Sequence, residues 1–369
     1  MKMMVSGGGT GGHIYPALAV AQAIRARIPE AEILYVGTEK GLEREIVPRA
    51  GFEFRSIQVE GLNRSSLMKA SRSIARLPAS FGQAWEIVKT FQPDLVLGTG
   101  GYVSFPVVLA ATFIPCQTFI HEQNAFPGLA NRILTRRVDC TMLTFAEAAQ
   151  NLNARQIRVT GLPVRAEILS VRPGPARLSL QLAEGIFTVI VFGGSRGAQS
   201  INDAVCQALP RLAQLPINLI WITGEQHFQD MQERVRQEIK GPQTRLNLIL
   251  QPYMFNMAEA LAAADLAICR SGASTLSELA ILGLPAILIP YPYATDNHQE
   301  KNAQALEKKK AALVVIDEFF DGDTLYKNLV RLMDDRDTLA IMRENMLREA
   351  KPSALEDILA IILEGRQVF

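Results

Sequence analysis

The sequence predicts an α/β protein built from two Rossmann-like, doubly wound parallel-sheet domains that face a cleft. Three observations predict it. Short β-type runs alternate with helical patterns of 10–20 residues along the whole chain. Several of those runs, such as Val189-Ile190-Val191-Phe192, are continuously apolar, as strands covered on both faces are. The pattern also starts twice. A strand, Gly7-Gly8-Gly9-Thr10-Gly11-Gly12 and a helix open the first half; a strand, Gly193-Gly194-Ser195-Arg196-Gly197 and a helix open the second. A length of 369 residues fits two domains at about 150 residues each.

In the first half the expected strands are Met3–Ser6, Ile33–Val36, Phe52–Val59, Leu95–Leu97, Thr118–His121 and Met142–Thr144. In the second they are Thr188–Phe192, Asn218–Ile222, Leu246–Leu250, Leu266–Ile268, Ala286–Ile289 and Leu313–Val315. The stretch from Pro163 to Gly174–Pro175 is punctuated like a linker. Ser353–Leu363 reads as an amphipathic helix.

Composition excludes several classes. Apolar residues make up 48% and charged residues 20%, which is not a disordered chain. The formal net charge is +1, so bulk basicity does not point to nucleic acid, and no nucleic-acid partner is expected. Cys116, Cys140, Cys206 and Cys269 are far apart, with no CxxC pair, and read as reduced thiols in a cytosolic protein. No leader or membrane-spanning segment is expected. The uncharged stretch Leu279–Thr295 carries Pro285, Pro290 and Pro292 and is shorter than the ~20 apolar residues a span needs.

Two glycine loops carry the first chemistry. Gly7–Gly12 lies between a strand and the helix starting at His13, where backbone N–H groups and a helix N-terminus suit an anion. Gly7, Gly9 and Gly12 also satisfy GxGxxG, and Glu39 follows the second strand, so an NAD-dependent dehydrogenase is one reading. Gly98-Thr99-Gly100-Gly101-Tyr102 follows another strand, and a dinucleotide domain has no need of it. Two such loops on one sheet edge suit a diphosphate.

His13 sits at a helix start, which favours a neutral imidazole able to act as general base. His121-Glu122-Gln123-Asn124 gathers polar groups at a strand end, where α/β ligands bind. In the second half, Arg270 to Glu278 opens a helix with small and hydroxyl residues that suit phosphate oxygens. Glu278 is placed to accept hydrogen bonds from a ribose diol. Asp296-Asn297-His298-Gln299 with Asn302 suits sugar hydroxyls. His227 lies in a helical pattern and gets no role. Asp321-Gly322-Asp323 has DxD spacing but reads as a helix start with Asp323 as its N-cap. Neither a metal nor a cofactor is expected.

These motifs resemble the MurG family of peptidoglycan UDP-N-acetylglucosamine transferases, which convert lipid I to lipid II. The resemblance spans the chain. It rests on GGGTGGHIYPALAVA, GTGGYVSFPVVLAA, HEQNAFPGLANR, GLPVR, FGGSRGAQSIND, CRSGASTLSELAILGLPAILIPYP and DNHQEKNA. It implies the GT-B fold, with an acceptor and membrane-associating domain over 1–163 and a UDP-GlcNAc-binding domain over 164–350. The helical end, 351–369, would return to the first domain. Implied donor positions are Thr10, Gly11, Gly12, Asn124, Arg165, Ser195, Met254, Ala273, Ser274, Thr275, Leu276, Ser277, Glu278 and Gln299. Ser274 stands where leucine is more usual, and His298 where a second glutamine can occur.

The expected reaction is inverting transfer of N-acetylglucosamine to the 4-hydroxyl of the muramoyl sugar on undecaprenyl diphosphate, with His13 as base. Gly11, Gly12, Gly100, Gly101 and Tyr102 would hold the acceptor diphosphate. Another GT-B nucleotide-sugar transferase with a lipid acceptor is the nearest alternative. The expected partners are UDP-GlcNAc, lipid I, an anionic membrane surface and other cell-wall synthesis proteins, at the cytoplasmic face of a bacterial plasma membrane. The membrane contact is expected at Lys69, Arg72, Arg76, Leu77, Phe81 and Trp85. There, residues 61–85 carry four basic side chains and no acidic one. Pro78 is expected to divide that stretch into two short helices.

Overall fold

The computed structural model describes residues 1–59, 67–194, 196–239 and 244–364, with the side chains of 67–76 outside the description. The chain forms two compact units. The first comprises Met1–Pro163 and the chain from Pro352 onward; the second is Val164–Lys351.

The first unit holds seven strands: β1 (Lys2–Gly7), β2 (Glu32–Thr38), β3 (Glu53–Ile57), β4 (Leu95–Gly100), β5 (Gln117–Glu122), β6 (Cys140–Leu143) and β7 (Ile157–Val159). All pair in parallel, in the order β3-β2-β1-β4-β5-β6-β7. Alternation along each strand feeds two cores. Met3, Val5, Tyr35, Leu95 and Leu97 face the helices Gly11–Arg27 and Ala354–Leu363. Met4, Leu34, Val36, Val96 and Ile120 face Leu67–Phe91 and Ser104–Ala111. Burial on both faces is why the strands read as unbroken apolar runs.

The C-terminal helix Ala354–Leu363 puts Ile358, Leu359, Ile362 and Leu363 into the first of those cores. Each buried aliphatic side chain there contributes about 1.5–3 kcal/mol before ordering costs. Arg27 pairs with Glu356 at its outer edge.

The second unit holds β8 (Phe187–Phe192), β9 (Ile217–Ile222), β10 (Asn247–Gln251), β11 (Leu266–Cys269), β12 (Ala286–Leu288) and β13 (Ala312–Val314). They are parallel, in the order β10-β9-β8-β11-β12-β13. Val189, Val191, Leu219, Trp221 and Ile268 pack on Ile201, Val205, Leu209 and Leu212 of the helix Gln199–Leu212. The fully buried Trp221 donates Nε1–H to Asn202 Oδ1 at 3.0 Å, which satisfies its one polar group.

Four features differ from the sequence expectation. Strand β7 was not expected: it is a three-residue, mostly exposed edge strand, too short for a period. The proline-rich stretch after Pro163 is not an open linker but forms the helices Ala166–Ser170 and Pro173–Ser179. Pro173 occupies the first turn of the latter, where its fixed φ fits, and Arg177 ties that helix to the Ala263 carbonyl and Asp265.

The helix Leu67–Phe91 runs through Pro78 unbroken. Its later half is anchored by Ser80 Oγ on the Gln58 carbonyl at 2.6 Å and by Gln83 Oε1 on the Gln58 N–H at 2.7 Å. Its own Ala84 and Val88 are buried in the core, so packing outweighs the ~3 kcal/mol a helical proline costs. Finally, the cap of the helix Gly322–Asp334 is Asp321, which accepts from Thr324 N at 2.8 Å. Asp323 lies in the first turn and pairs with Arg211 at 2.7 Å.

Candidate active site

In the first unit the strand order reverses between β1 and β4, and both glycine loops leave the sheet there. Such a switch point is where open α/β sheets bind ligands. The loops approach backbone to backbone: Gly8 N–H lies 3.4 Å from the Gly100 carbonyl. Gly101 has φ +78°, and a side-chain carbon on it would fall 2.3 Å from the Gly8 carbonyl oxygen, so no other residue fits.

The first loop is held from behind by a group the sequence did not single out. Glu43, fully buried, accepts from Gly9 N at 3.2 Å, Thr38 N at 3.0 Å and Thr38 Oγ1 at 2.8 Å. Tyr35 donates its hydroxyl to the Gly7 carbonyl at 2.7 Å. Burial first, and the Glu43 charge second, push the Tyr35 phenol far above its ordinary range, so it remains a donor. Gly9 N–H is therefore committed to Glu43. The amides at the start of the helix Gly11–Arg27 remain the loop's anion-facing part, since Thr10 makes no side-chain cap. Glu39, the acid a dinucleotide site would use, is exposed on the turn after β2.

His13 is half-buried at that helix start. Its Nδ1 lies 3.0 Å from the Thr99 carbonyl and 3.0 Å from Gln123 Oε1. A carbonyl cannot donate, so Nδ1 carries a hydrogen, and Nε2 is the basic nitrogen whenever the ring is neutral. Thr99 Oγ1 in turn donates to the His13 carbonyl at 2.8 Å. His121 is fully buried and donates Nε2–H to the Gly161 carbonyl at 2.8 Å. Burial disfavours its imidazolium and pushes its pKa down to about 4. Glu122 is a loop organiser: it accepts from Asn124 N, Asn124 Nδ2, Gly128 N and Asn131 Nδ2 at 2.7–3.2 Å. It thereby fixes Asn124.

In the second unit the order reverses between β8 and β11. The helix Ala273–Leu282 begins directly after β11. Its N-cap, Gly272, offers no side chain, so its first amides have no intramolecular cap. Ser274 is exposed and Thr275 half-buried there, whereas Ala273 and Leu276 face the core. The Leu276 side chain therefore packs inward; only its backbone can meet a ligand.

Arg165 and Glu278 form a bidentate pair, Nε to Oε1 at 2.7 Å and Nη2 to Oε2 at 2.8 Å. Burial opposes the guanidinium charge, and the hydrogen bonds and charge of Glu278 more than offset it. Gln299 is used twice: its Oε1 accepts from Tyr291 N at 3.0 Å and its carbonyl from Ser271 Oγ at 2.8 Å. His298 Nδ1 donates to the Thr295 carbonyl at 2.7 Å. Met254 lies half-buried between the exposed rings of Tyr253 and Phe255, whose centroids are 5.0 Å apart. Arg270, behind the loop, holds Asp317, Ser200 and the Ile289 and Pro290 carbonyls, a structural role.

The site residues expected from sequence thus fall into two groups. Thr10, Gly11, Gly12, His13, Gly100, Gly101, Tyr102 and Asn124 lie on the first unit. Arg165, Met254, the stretch 273–278 and Gln299 lie on the second. Ser195 lies outside the described residues, as do the side chains of Lys69, Arg72 and Arg76. Leu77, Phe81 and Trp85 are half-buried. Phe81 and Trp85 form a triad with the exposed Phe113, which the sequence reading missed, at centroid distances of 6.2–6.4 Å. The Arg137 guanidinium lies over Phe113 at 5.7 Å.

Comparison with known proteins fits this anatomy. Residues 3–143 match the glycosyltransferase family 28 N-terminal domain, and residues 188–358 match its C-terminal domain. The chain is thus a glycosyltransferase of the GT-B fold. It is 45% identical over 364 residues to the UDP-N-acetylglucosamine–N-acetylmuramyl-(pentapeptide) pyrophosphoryl-undecaprenol N-acetylglucosamine transferase of Desulforudis audaxviator, covering 98% of each chain. The crystal structure of Acinetobacter baumannii MurG superposes with a TM-score of 0.81 at 27% identity, over 98% of this chain and 99% of that one. A Listeria monocytogenes structure described as a UDP-N-acetylglucosamine 2-epimerase shares the fold alone, with a TM-score of 0.66 at 15% identity over 98% and 95% of the two chains. The chain belongs to the MurG family of N-acetylglucosamine transferases.

Proposed function

We propose that this protein transfers N-acetylglucosamine from UDP-GlcNAc to the 4-hydroxyl of the muramoyl sugar of lipid I, with inversion, giving lipid II for peptidoglycan. The family relation supports the substrates. The observation that carries the chemistry is His13, whose Nδ1 is held by two acceptors at 3.0 Å and whose Nε2 is therefore the basic nitrogen. Nε2 takes the proton as the hydroxyl oxygen bonds to C1 of the sugar; the C1–O bond to UDP breaks and its electron pair leaves with the diphosphate.

Charge growing on the leaving group is met by the uncapped amides at Ala273–Thr275 and by Arg165. Glu278 positions that guanidinium, and the remaining lone pairs of its two oxygens accept from the ribose hydroxyls. Gly11, Gly12, Gly100 and Gly101 receive the acceptor's own diphosphate. These groups supply the stabilisation a metal would otherwise give. Among the described residues no three His, Cys, Asp or Glu side chains are grouped to hold one.

Among the described residues no helix is long and apolar enough to cross a membrane. The Phe81–Trp85–Phe113 triad, with Arg137 over it, supports a peripheral contact with an anionic bilayer at the cytoplasmic face. The first unit is then the acceptor and membrane domain, and the second the donor domain. The test is incubation with radiolabelled UDP-GlcNAc and a lipid I analogue. A labelled disaccharide lipid is expected; label that never leaves the nucleotide sugar would sink the reading.

A further inference from the structure

Three side chains beneath the first glycine loop form one directed chain of hydrogen bonds. The Gly161 carbonyl can only accept, so His121 Nε2, 2.8 Å away, carries a hydrogen. A neutral His121 then presents a bare lone pair at Nδ1. Gln123 Nε2 donates to it at 3.1 Å and to the His121 carbonyl at 3.1 Å. With its NH2 group so placed, Gln123 turns Oε1 toward His13 Nδ1, 3.0 Å away. The reversed amide would set a carbonyl oxygen against two acceptors on His121 and an NH2 group against the hydrogen of His13 Nδ1. In a buried site each such loss is costly. Gly100, at φ +101°, leaves room for the contact; a side-chain carbon there would lie 2.9 Å from His13 Nδ1 and 3.5 Å from Gln123 Oε1.

We propose that Gln123 is a positioning residue for glycosyl transfer: its amide, oriented by His121, holds His13 in the tautomer protonated on Nδ1 and so keeps Nε2 as the proton acceptor. The role rests on the reading of His13 as general base. Burial keeps His121 neutral through the working pH range, which preserves the direction of the chain. The Thr99 carbonyl shares the same His13 hydrogen, so Gln123 biases the tautomer jointly with it. Among the described residues, the other ionisable groups against the loop are Tyr35, which donates to the Gly7 carbonyl, Glu43, against Gly8 and Gly9, Tyr102, against Gly9, and Tyr15, against Gly11.

Two variants and two readouts test this. In the full chain with 15N-labelled histidine, His13 is assigned by its loss in His13→Ala. The parent should show a protonated Nδ1 and an unprotonated Nε2. Gln123→Leu should raise the fraction protonated on Nε2 and lower kcat about three- to tenfold, the worth of one neutral hydrogen bond. Gln123→Glu keeps an acceptor and adds a negative charge, so the acid limb of the kcat profile should move up by about one pH unit or more. Both variants leave His121 Nδ1 without a donor; if neither folds, the parent spectrum still decides, because a His13 protonated on Nε2 and bare on Nδ1 would overturn the proposal. An unchanged tautomer ratio in Gln123→Leu, or a parental acid limb in Gln123→Glu, would overturn the proposal. If His13→Ala retained the parental kcat, the general-base reading would fall, while the tautomer ratio would still decide what Gln123 does.

Discussion

Replacing His121 with glutamine separates a buried titration from the rest of the acid response. His121 titrates near pH 4 in the folded protein because burial disfavours its charged form. In the unfolded chain its ordinary value is about 6.5. The folded pKa is the lower one, so below pH 6.5 the unfolded state takes up the proton first. The stability His121 contributes is complete above pH 6.5 and is lost as the pH falls from 6.5 to about 4. At about 1.36 kcal/mol per pH unit, the loss is about 2 kcal/mol by pH 5 and about 3 kcal/mol by pH 4.

Glutamine at this position can donate to the Gly161 carbonyl and accept from Gln123 without titrating. Trp85 and Trp221 are the two tryptophans, one in each unit. In a Trp221→Phe background, Trp85 fluorescence follows urea unfolding of the first unit. Between pH 7 and pH 5 the histidine protein should lose about 2 kcal/mol more than His121→Gln. Equal losses would show that His121 is not held neutral by the fold, and the directed hydrogen-bond chain would lose its anchor.

The other expectations concern turnover and binding. His13→Ala should lower kcat by roughly 10²–10⁴-fold with little change in donor KM, measured by initial rates; a kcat within about threefold of the parent would return His13 to ordering the loop. Glu278→Gln removes the charge of the fork with Arg165 and should raise donor KM by roughly 10- to 150-fold while leaving acceptor KM unchanged. Loss of discrimination between UDP-GlcNAc and its 2′-deoxyuridine analogue should accompany it. Phe113→Ser with Arg137→Gln, and separately Lys69, Arg72 and Arg76 changed together to Gln, should each weaken co-sedimentation with anionic vesicles. Turnover of a short-chain acceptor should persist, and undiminished vesicle binding would remove the membrane patch.

Much of the frame was legible because parallel strands buried on both faces leave unbroken apolar runs, as at Val189–Phe192 and Leu95–Leu97. The glycine loops were legible for a similar reason: backbone contact between Gly8 and Gly101 excludes larger residues. Glu43 was not, because nothing local marks an acid at the start of a seven-residue helix. Its burial arises only when Gly8, Gly37 and Gly41 close around it. The link from Gln123 to His13 spans 110 residues and has no sequence period, although the pairing of His121 with Gln123 is the ordinary same-side relation of alternate residues at a strand end. Phe113 belongs to a surface that forms only after Leu67–Phe91 packs beside Ser104–Ala111. Asp321 rather than Asp323 caps its helix because the helix begins at Gly322, a boundary that pattern alone places only to within a few residues.

Inverting, lipid-directed transfer of N-acetylglucosamine fixes the anomeric fate of the donor. UDP-GlcNAc labelled with 13C at C1 is mixed with a lipid I analogue and excess chelator, and the label is followed by NMR. The α-linked donor signal should give way to a β-glycosidic signal on the lipid product, with one UDP released per product and none formed when the acceptor is left out. Formation of the 2-epimer of UDP-GlcNAc, an α-linked product, or turnover that needs no acceptor would contradict the account.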